Sequence, residues 1–120
     1  MDSFAYQYDH HKKAVDYALK QIQASSLAPY VTDVILFGSV ARQTARFDSD
    51  VDLLLLLSDQ AFLRPKFAKE SRLLRVDVQT DDYRDAEIDL RIEQDSYFQT
   101  STQTIDVFIK EEGVSIWKID

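Results

Sequence analysis

The residues VDLLLLL, Val51 to Leu57, constrain the fold more than any other stretch of the chain. Apolar side chains fall on both alternation sets. A strand made of them needs cover on both faces, as a central strand in a helix-flanked sheet has. Two carboxylates, Asp50 and Asp52, open this run. Residues two apart on a strand project to the same side, so the two acids repel, and partial burial makes each costlier. Only Val51 stands between them, so no basic residue inside the pair relieves the repulsion. A divalent cation would. Mg²⁺ suits such a pair because it takes oxygen ligands and shares one or two carboxylates with waters and substrate phosphates. Taken alone, D-x-D reads more simply as the acidic end of a solvated loop.

The flanking pattern alternates helices and strands. Tyr8, His11, Val15, Ala18, Leu19 and Ile22 recur at helical spacing, which predicts a first helix ending before Pro29. Val31 to Phe37 is β-branched and apolar and predicts a strand. Ser39 to Arg46 reads as a short helix and Phe47 to Ser49 as a loop. Pro65 fits the first turn of a third helix running to about Leu74, and Thr80 to Asp85 reads as a loop. In EIDLRIE, Glu87 to Glu93, Ile88, Leu90 and Ile92 share one face while Glu87, Asp89 and Arg91 share the other. Thr102 or Thr104 is the expected cap of a last helix carrying Ile105, Phe108 and Ile109, with Gly113 as its left-handed C-cap. Val114 to Ile119 is the expected closing edge strand. The sum is a single α/β (α+β) domain over residues 1–120, with a small mixed sheet flanked by helices.

Gly38 and Ser39 follow the first strand directly. The plain reading is a glycine turn and a serine cap. The same geometry leaves amide groups free at a helix start, where a phosphate can approach a residue without a β-carbon. Arg42, one turn on, could add positive charge. A phosphate cradle and an acid pair at adjacent strand ends would together serve one nucleoside triphosphate. Two-metal phosphoryl chemistry asks for a further acid on a neighbouring strand. Asp89 is the first candidate, on the polar face of its strand. Asp77 in RVDVQ and Glu87 are the alternatives. The plain reading of Asp89 is an ion pair with Arg91, worth little at a surface.

Composition narrows the partners. The formal net charge is −7, with 14 Lys and Arg scattered along the chain. Long nucleic acid would meet a repulsive average field. Cysteine is absent, which excludes disulfides and thiolate metal sites and points to a cytoplasmic setting. No apolar run approaches the roughly 20 residues of a membrane span. His10 and His11 lie on different helix faces without a third ligand nearby and read as surface or packing residues. The tyrosines read as packing, and Trp117 as cover for the sheet edge or part of a partner surface.

The stretch FGSVARQTARFDSDVDLLLLL resembles the G-S-x-A-R-G…S-D-x-D-L signature of the minimal nucleotidyltransferases, in the DNA polymerase beta superfamily. Gly38, Ser39, Ala41, Arg42, Ser49, Asp50, Asp52 and Leu53 match in order. EIDLRIE and FIKEEGVSIW are similar to the third strand and tail of such domains. The resemblance implies a nucleotidyltransferase fold, with Gly38, Ser39 and Arg42 on the nucleotide and Asp50, Asp52 and Asp89 as catalytic, Mg²⁺-binding acids. It also implies an antitoxin that transfers AMP from ATP to a tyrosine of a HEPN-family toxin. Gln43 departs from the pattern, which has glycine there, and is expected to add bulk at the rim of the site. Transfer to a small acceptor of aminoglycoside type, or neutralisation of a partner by docking alone, are the alternatives.

Overall fold

The structure, a computed structural model, describes residues 4–82 and 84–117. The expected central strand is present as β2 (Val51–Leu57). It lies between β1 (Val31–Phe37), antiparallel to it, and β3 (Ile88–Gln94), parallel to it. A two-residue strand, β4 (Val114–Ser115), pairs antiparallel with β1 and completes the order β3-β2-β1-β4. A parallel pair requires a crossover. Here α3 (Asp59–Phe62) and α4 (Phe67–Asp77) make it.

The two alternation sets of β2 feed two cores. Val51, Leu53, Leu55 and Leu57 pack with Ala14, Val15, Ala18 and Ile22 of α1 (Asp9–Ala24) and with Leu74 of α4. Leu54 and Leu56 point the other way, into a smaller cluster with Phe98 of α5 (Asp95–Thr100) and Ile109 of α6 (Thr104–Glu112). Each fully buried leucine contributes about 1.5–3 kcal/mol. Both faces accept leucine, so these residues set the strand register only weakly. Asp52 sets it: a one-residue slip would drive its carboxylate into the core under α1.

Several expected elements change. The helix after β1, α2, spans only Gly38–Arg42 and does not reach Arg46, because Gln43 takes the left-handed conformation (φ 61°) and turns the chain out. The helix expected from Pro65 to about Leu74 is α4, which starts after Pro65 at Phe67 and runs on to Asp77, and the short α3 before Pro65 was not expected. Strand β3 sits one residue later than its alternation suggested. Part of QTSTQT is helical, since α5 extends to Thr100. Neither Thr102 nor Thr104 caps α6. Its N-cap is Gln103, whose backbone N–H donates to Ser101 Oγ at 3.2 Å.

Gly113 is extended (φ −69°, ψ 151°) rather than left-handed. It is glycine for lack of space: a β-carbon would collide with Ile35 Cγ2 and the carbonyl oxygen of Ile109. The closing strand ends at Ser115, and the remainder of its expected span includes Ile119, outside the described residues. Tyr83 also lies outside them. Trp117 is half-buried against the larger core, consistent with covering the sheet. No helix among the described residues is long and apolar enough to cross a membrane.

Candidate active site

Strand pairing brings the candidate residues to one end of the sheet. Phe37, the last residue of β1, is opposite Asp52, and Asp52 is opposite Asp89. Gly38 follows Phe37, so the glycine turn, Asp52 and Asp89 occupy three adjacent strand positions. A cleft of about 390 Å³ opens there, lined by Phe37, Asp52, Asp89, Arg91 and Ile105. A second, more apolar cleft of about 240 Å³ adjoins it, lined by Phe37, Gly38, Arg42, Ile105, Phe108, Ile109 and Glu112. Phe37 and Ile105 are shared by both.

Gly38 is at φ +75°, a conformation in which a side chain is strained. Its missing β-carbon has a second cause, because one built there would overlap Asp52 Oδ2 and lie 3.0 Å from Asp52 Cγ. The turn and the acid are therefore fitted to each other. Arg42 Nη1 donates to Glu112 Oε2 at 3.3 Å, which draws Arg42 toward α6 at the edge of the apolar cleft.

Asp52 carries the electrostatic signature of the site. Its carboxyl is pushed up to about 6, first by burial, then by the charges of Asp89 and Asp50, with Arg42 opposing. Both other acids and the arginine thus act on Asp52. They do not share one cleft. Asp50 precedes β2 and is exposed, on the lip of a groove of about 280 Å³ lined also by His10, Phe47, Ser49, Asp85 and Glu87. Among the described residues no three carboxylate or imidazole side chains form a ready-made metal cage.

The alternatives for the third acid separate clearly. Asp77 is an exposed residue at the end of α4, away from the strand positions. Glu87 lies before β3, where its carbonyl accepts from Val51 N–H, and it faces the neighbouring groove. Asp89 alone of the three lines the cleft with Asp52. The ion pair with Arg91, the plain alternative for Asp89, does not form among the described residues. Arg91 Nε donates instead to Glu93 Oε2 at 2.8 Å. Gln79 fixes the start of β3: its amide donates to the Ile88 carbonyl at 2.6 Å and accepts from Ile88 N–H at 2.9 Å, which extends the ladder beside Asp89.

Residues to which the sequence assigned no such role hold the loop before Asp50. His10 Nε2 donates to the Phe47 carbonyl at 2.6 Å and His11 Nε2 to the Ser49 carbonyl at 2.9 Å, their rings stacked at 4.2 Å. His11 is buried, and burial pushes its imidazole below the usual range. Gln43 Nε2 donates to the Ala5 carbonyl at 2.6 Å, and Ala45 N–H donates to Gln7 Oε1 at 2.8 Å. Segment 5–11 is thus a strap across loop 43–49. Gln43 belongs to that strap, and its side chain lines neither cleft. The adjacent histidines and the lone glutamine carried no local pattern that could have announced this.

Similarity to known proteins agrees with the geometry. A family described as "Nucleotidyltransferase domain" matches residues 17–116. No curated protein matches the sequence. Among solved structures, a protein from Sulfolobus solfataricus provisionally described as a nucleotidyltransferase superposes with a TM-score of 0.58 at 16% identity, over 92% of this chain and 85% of that one. A structure described as a toxin-antitoxin with AMP-PNP superposes with a TM-score of 0.51 at 17% identity, over 87% of this chain and 73% of that one.

Proposed function

The chain belongs to the nucleotidyltransferase domain family, and on that premise we propose that it transfers AMP from ATP to a hydroxyl of a partner protein in the cytoplasm. The partner we favour is a HEPN-type toxin, the acceptor one of its tyrosines, and the outcome silencing of the toxin. The observation that carries the reading is the in-register pair Asp52 and Asp89 beside a glycine turn that leaves no room for a side chain.

The donor set fits Mg²⁺. Every candidate ligand is a carboxylate oxygen, and both the burial that chiefly raises Asp52 and the repulsion that adds to it are costs a divalent cation would relieve. Asp50, Asp52 and Asp89 would hold it, and phosphate oxygens and waters would complete its shell. When bound, the metal neutralises polyphosphate charge and favours departure of pyrophosphate.

The rest falls to this chain's residues. Gly38 and Ser39 offer backbone amides to the β- and γ-phosphates, with Arg42 at their side. Asp89 orients the acceptor hydroxyl and takes its proton. The hydroxyl oxygen bonds to the α-phosphorus as the bond from that phosphorus to the pyrophosphate oxygen breaks. At the clefts, Ile105 and Phe108 are exposed and apolar, a surface suited to an acceptor presented by another protein. The toxin-antitoxin structure with AMP-PNP supports the adenine nucleotide and the toxin partner, because that protein shares the fold.

The test is incubation with α-labelled ATP, Mg²⁺ and the HEPN-family product of an adjacent gene. Label on a partner tyrosine, lost with Asp50→Asn and Asp52→Asn, is the expected result. Toxin neutralised in full by those variants, without label, would replace transfer by docking.

A further inference from the structure

Arg91 is left unexplained by its neighbours. It follows Asp89 by two residues on β3, so the two share a face, and it lines the cleft together with Asp52 and Asp89. A solvated surface arginine would pair with the acid beside it. This one is held from behind. Its Nε donates to Glu93 Oε2 at 2.8 Å, and the Glu93 side chain is only 11% exposed. Behind Glu93 stands a second carboxyl, Asp106, which is fully buried and accepts from Ser101 Oγ at 2.5 Å. Among the described residues, no hydrogen bond or ion pair ties Arg91 to Asp52 or Asp89. The guanidinium is therefore fixed along its Nε edge and keeps its Nη groups for another anion.

We propose that Arg91 contacts the α-phosphoryl group of the nucleotide in the cleft lined by Asp52 and Asp89. This rests on the nucleotidyl-transfer reading above and adds a residue to it. A planar guanidinium matches two non-bridging phosphate oxygens, and its charge opposes the charge that develops as the α-phosphorus is attacked. Division of labour supports the placement. Arg42 stands on the β1 side of the acids, beside the Gly38 turn and engaged with Glu112. Arg91 stands on the β3 side, beside the acid that receives the acceptor. The terminal phosphates belong to the first arginine and the transferred one to the second.

The experiment compares wild type, Arg91→Ala and Arg91→Lys. Each is titrated with Mg²⁺ and the non-cleavable analogue α,β-methylene-ATP, and separately with Mg²⁺ and inorganic tripolyphosphate. Melting temperatures are recorded alongside. Arg91→Ala should bind the analogue roughly tenfold more weakly, the size of one charge-assisted contact. It should keep its tripolyphosphate affinity, with a melting temperature lowered no further than loss of the Glu93 hydrogen bond explains, and Arg91→Lys should fall between it and wild type. Unchanged analogue binding in Arg91→Ala overturns the proposal and leaves the nucleotide reading standing. So does a joint loss of both ligands with a lower melting temperature, which would make Arg91 structural. Wild type that binds neither ligand overturns the nucleotide reading and this proposal with it.

Discussion

Gly38 lies so close to Asp52 that a β-carbon on residue 38 would overlap the aspartate's Oδ2. The turn proposed to hold phosphate and the carboxylate proposed to hold metal are thus a single fitted unit. Gly38→Ala should displace Asp52 and strain a backbone at φ +75°. The expected stability loss is about 1–3 kcal/mol. Activity should fall further than stability explains, by about a hundredfold if the carboxylate moves near 1 Å. Urea unfolding and initial transfer rates measured on one preparation check both.

Asp52 is penalised as a charge by burial first and then by its like-charged neighbours, and that gives a stability prediction of unusual sign. Its folded carboxyl titrates near 6 against an ordinary 3.8. The folded state therefore binds the proton more tightly than the unfolded state does. Its contribution is full below about 4, declines as pH rises through 6, and stays low above. Glu93 is also raised, by burial first, and acts in the same direction. Glu70 and Asp82, both lowered to about 2 by hydrogen bonds from arginine, act only at more acid pH. Melting temperature of the metal-free protein should thus fall between pH 4.5 and 7. Asp52→Asn should flatten that fall and melt higher than wild type at pH 7, while transfer is abolished.

Glu93 and Asp106 face each other as two carboxyls, and Asp106 Oδ1 is buried without a hydrogen-bond partner if both are ionised. A proton on Glu93 supplies that partner. Glu93→Gln imitates the protonated acid, since its amide can donate to Asp106 and its oxygen can accept from Arg91. It should be close to neutral in stability at pH 7. Glu93→Ala removes both bonds and leaves a buried carboxylate alone, at a cost of about 1–3 kcal/mol or more. Paired chemical denaturation curves decide this, and a Gln variant as unstable as the Ala variant would refute the shared proton.

Gln43 replaces the glycine that the family pattern has, and its side chain is bonded to the Ala5 carbonyl rather than lodged in the cleft. Gln43→Gly relieves a left-handed non-glycine residue, worth about 1–2 kcal/mol. It also loses one hydrogen bond and frees the unfolded chain, which offset the gain. Stability should change by less than about 1 kcal/mol, and transfer rate by less than about twofold, as for a residue away from the chemistry. A large gain in rate would restore the idea that glutamine crowds the site.

The legible part of this protein was its sheet. β2 and β1 announce themselves by apolar runs and β3 by strict alternation, because those signals are local. Asp52 and Asp89 were legible too, since strand periodicity says which side each residue takes. The short helices α3 and α5 were not, because four to six residues carry no helical period. The plain alternative for Asp89, an ion pair with Arg91, does not form among the described residues, for a simple reason. Sequence places Asp89 and Glu93 equally two residues away, and only the burial of Asp106 behind Glu93 decides between them. Gly113 was read as a backbone device when it is a spacing device, which depends on Ile35, far off in sequence.

The strap from Ala5 to His11 has a practical consequence for anyone handling the protein. Loop 43–49, which delivers Asp50 to the lip of its groove, hangs from it by four hydrogen bonds. An affinity handle fused ahead of Phe4 would tug on the same cord. Preparations tagged at opposite ends of the chain should be assayed as two different enzymes until shown to be one.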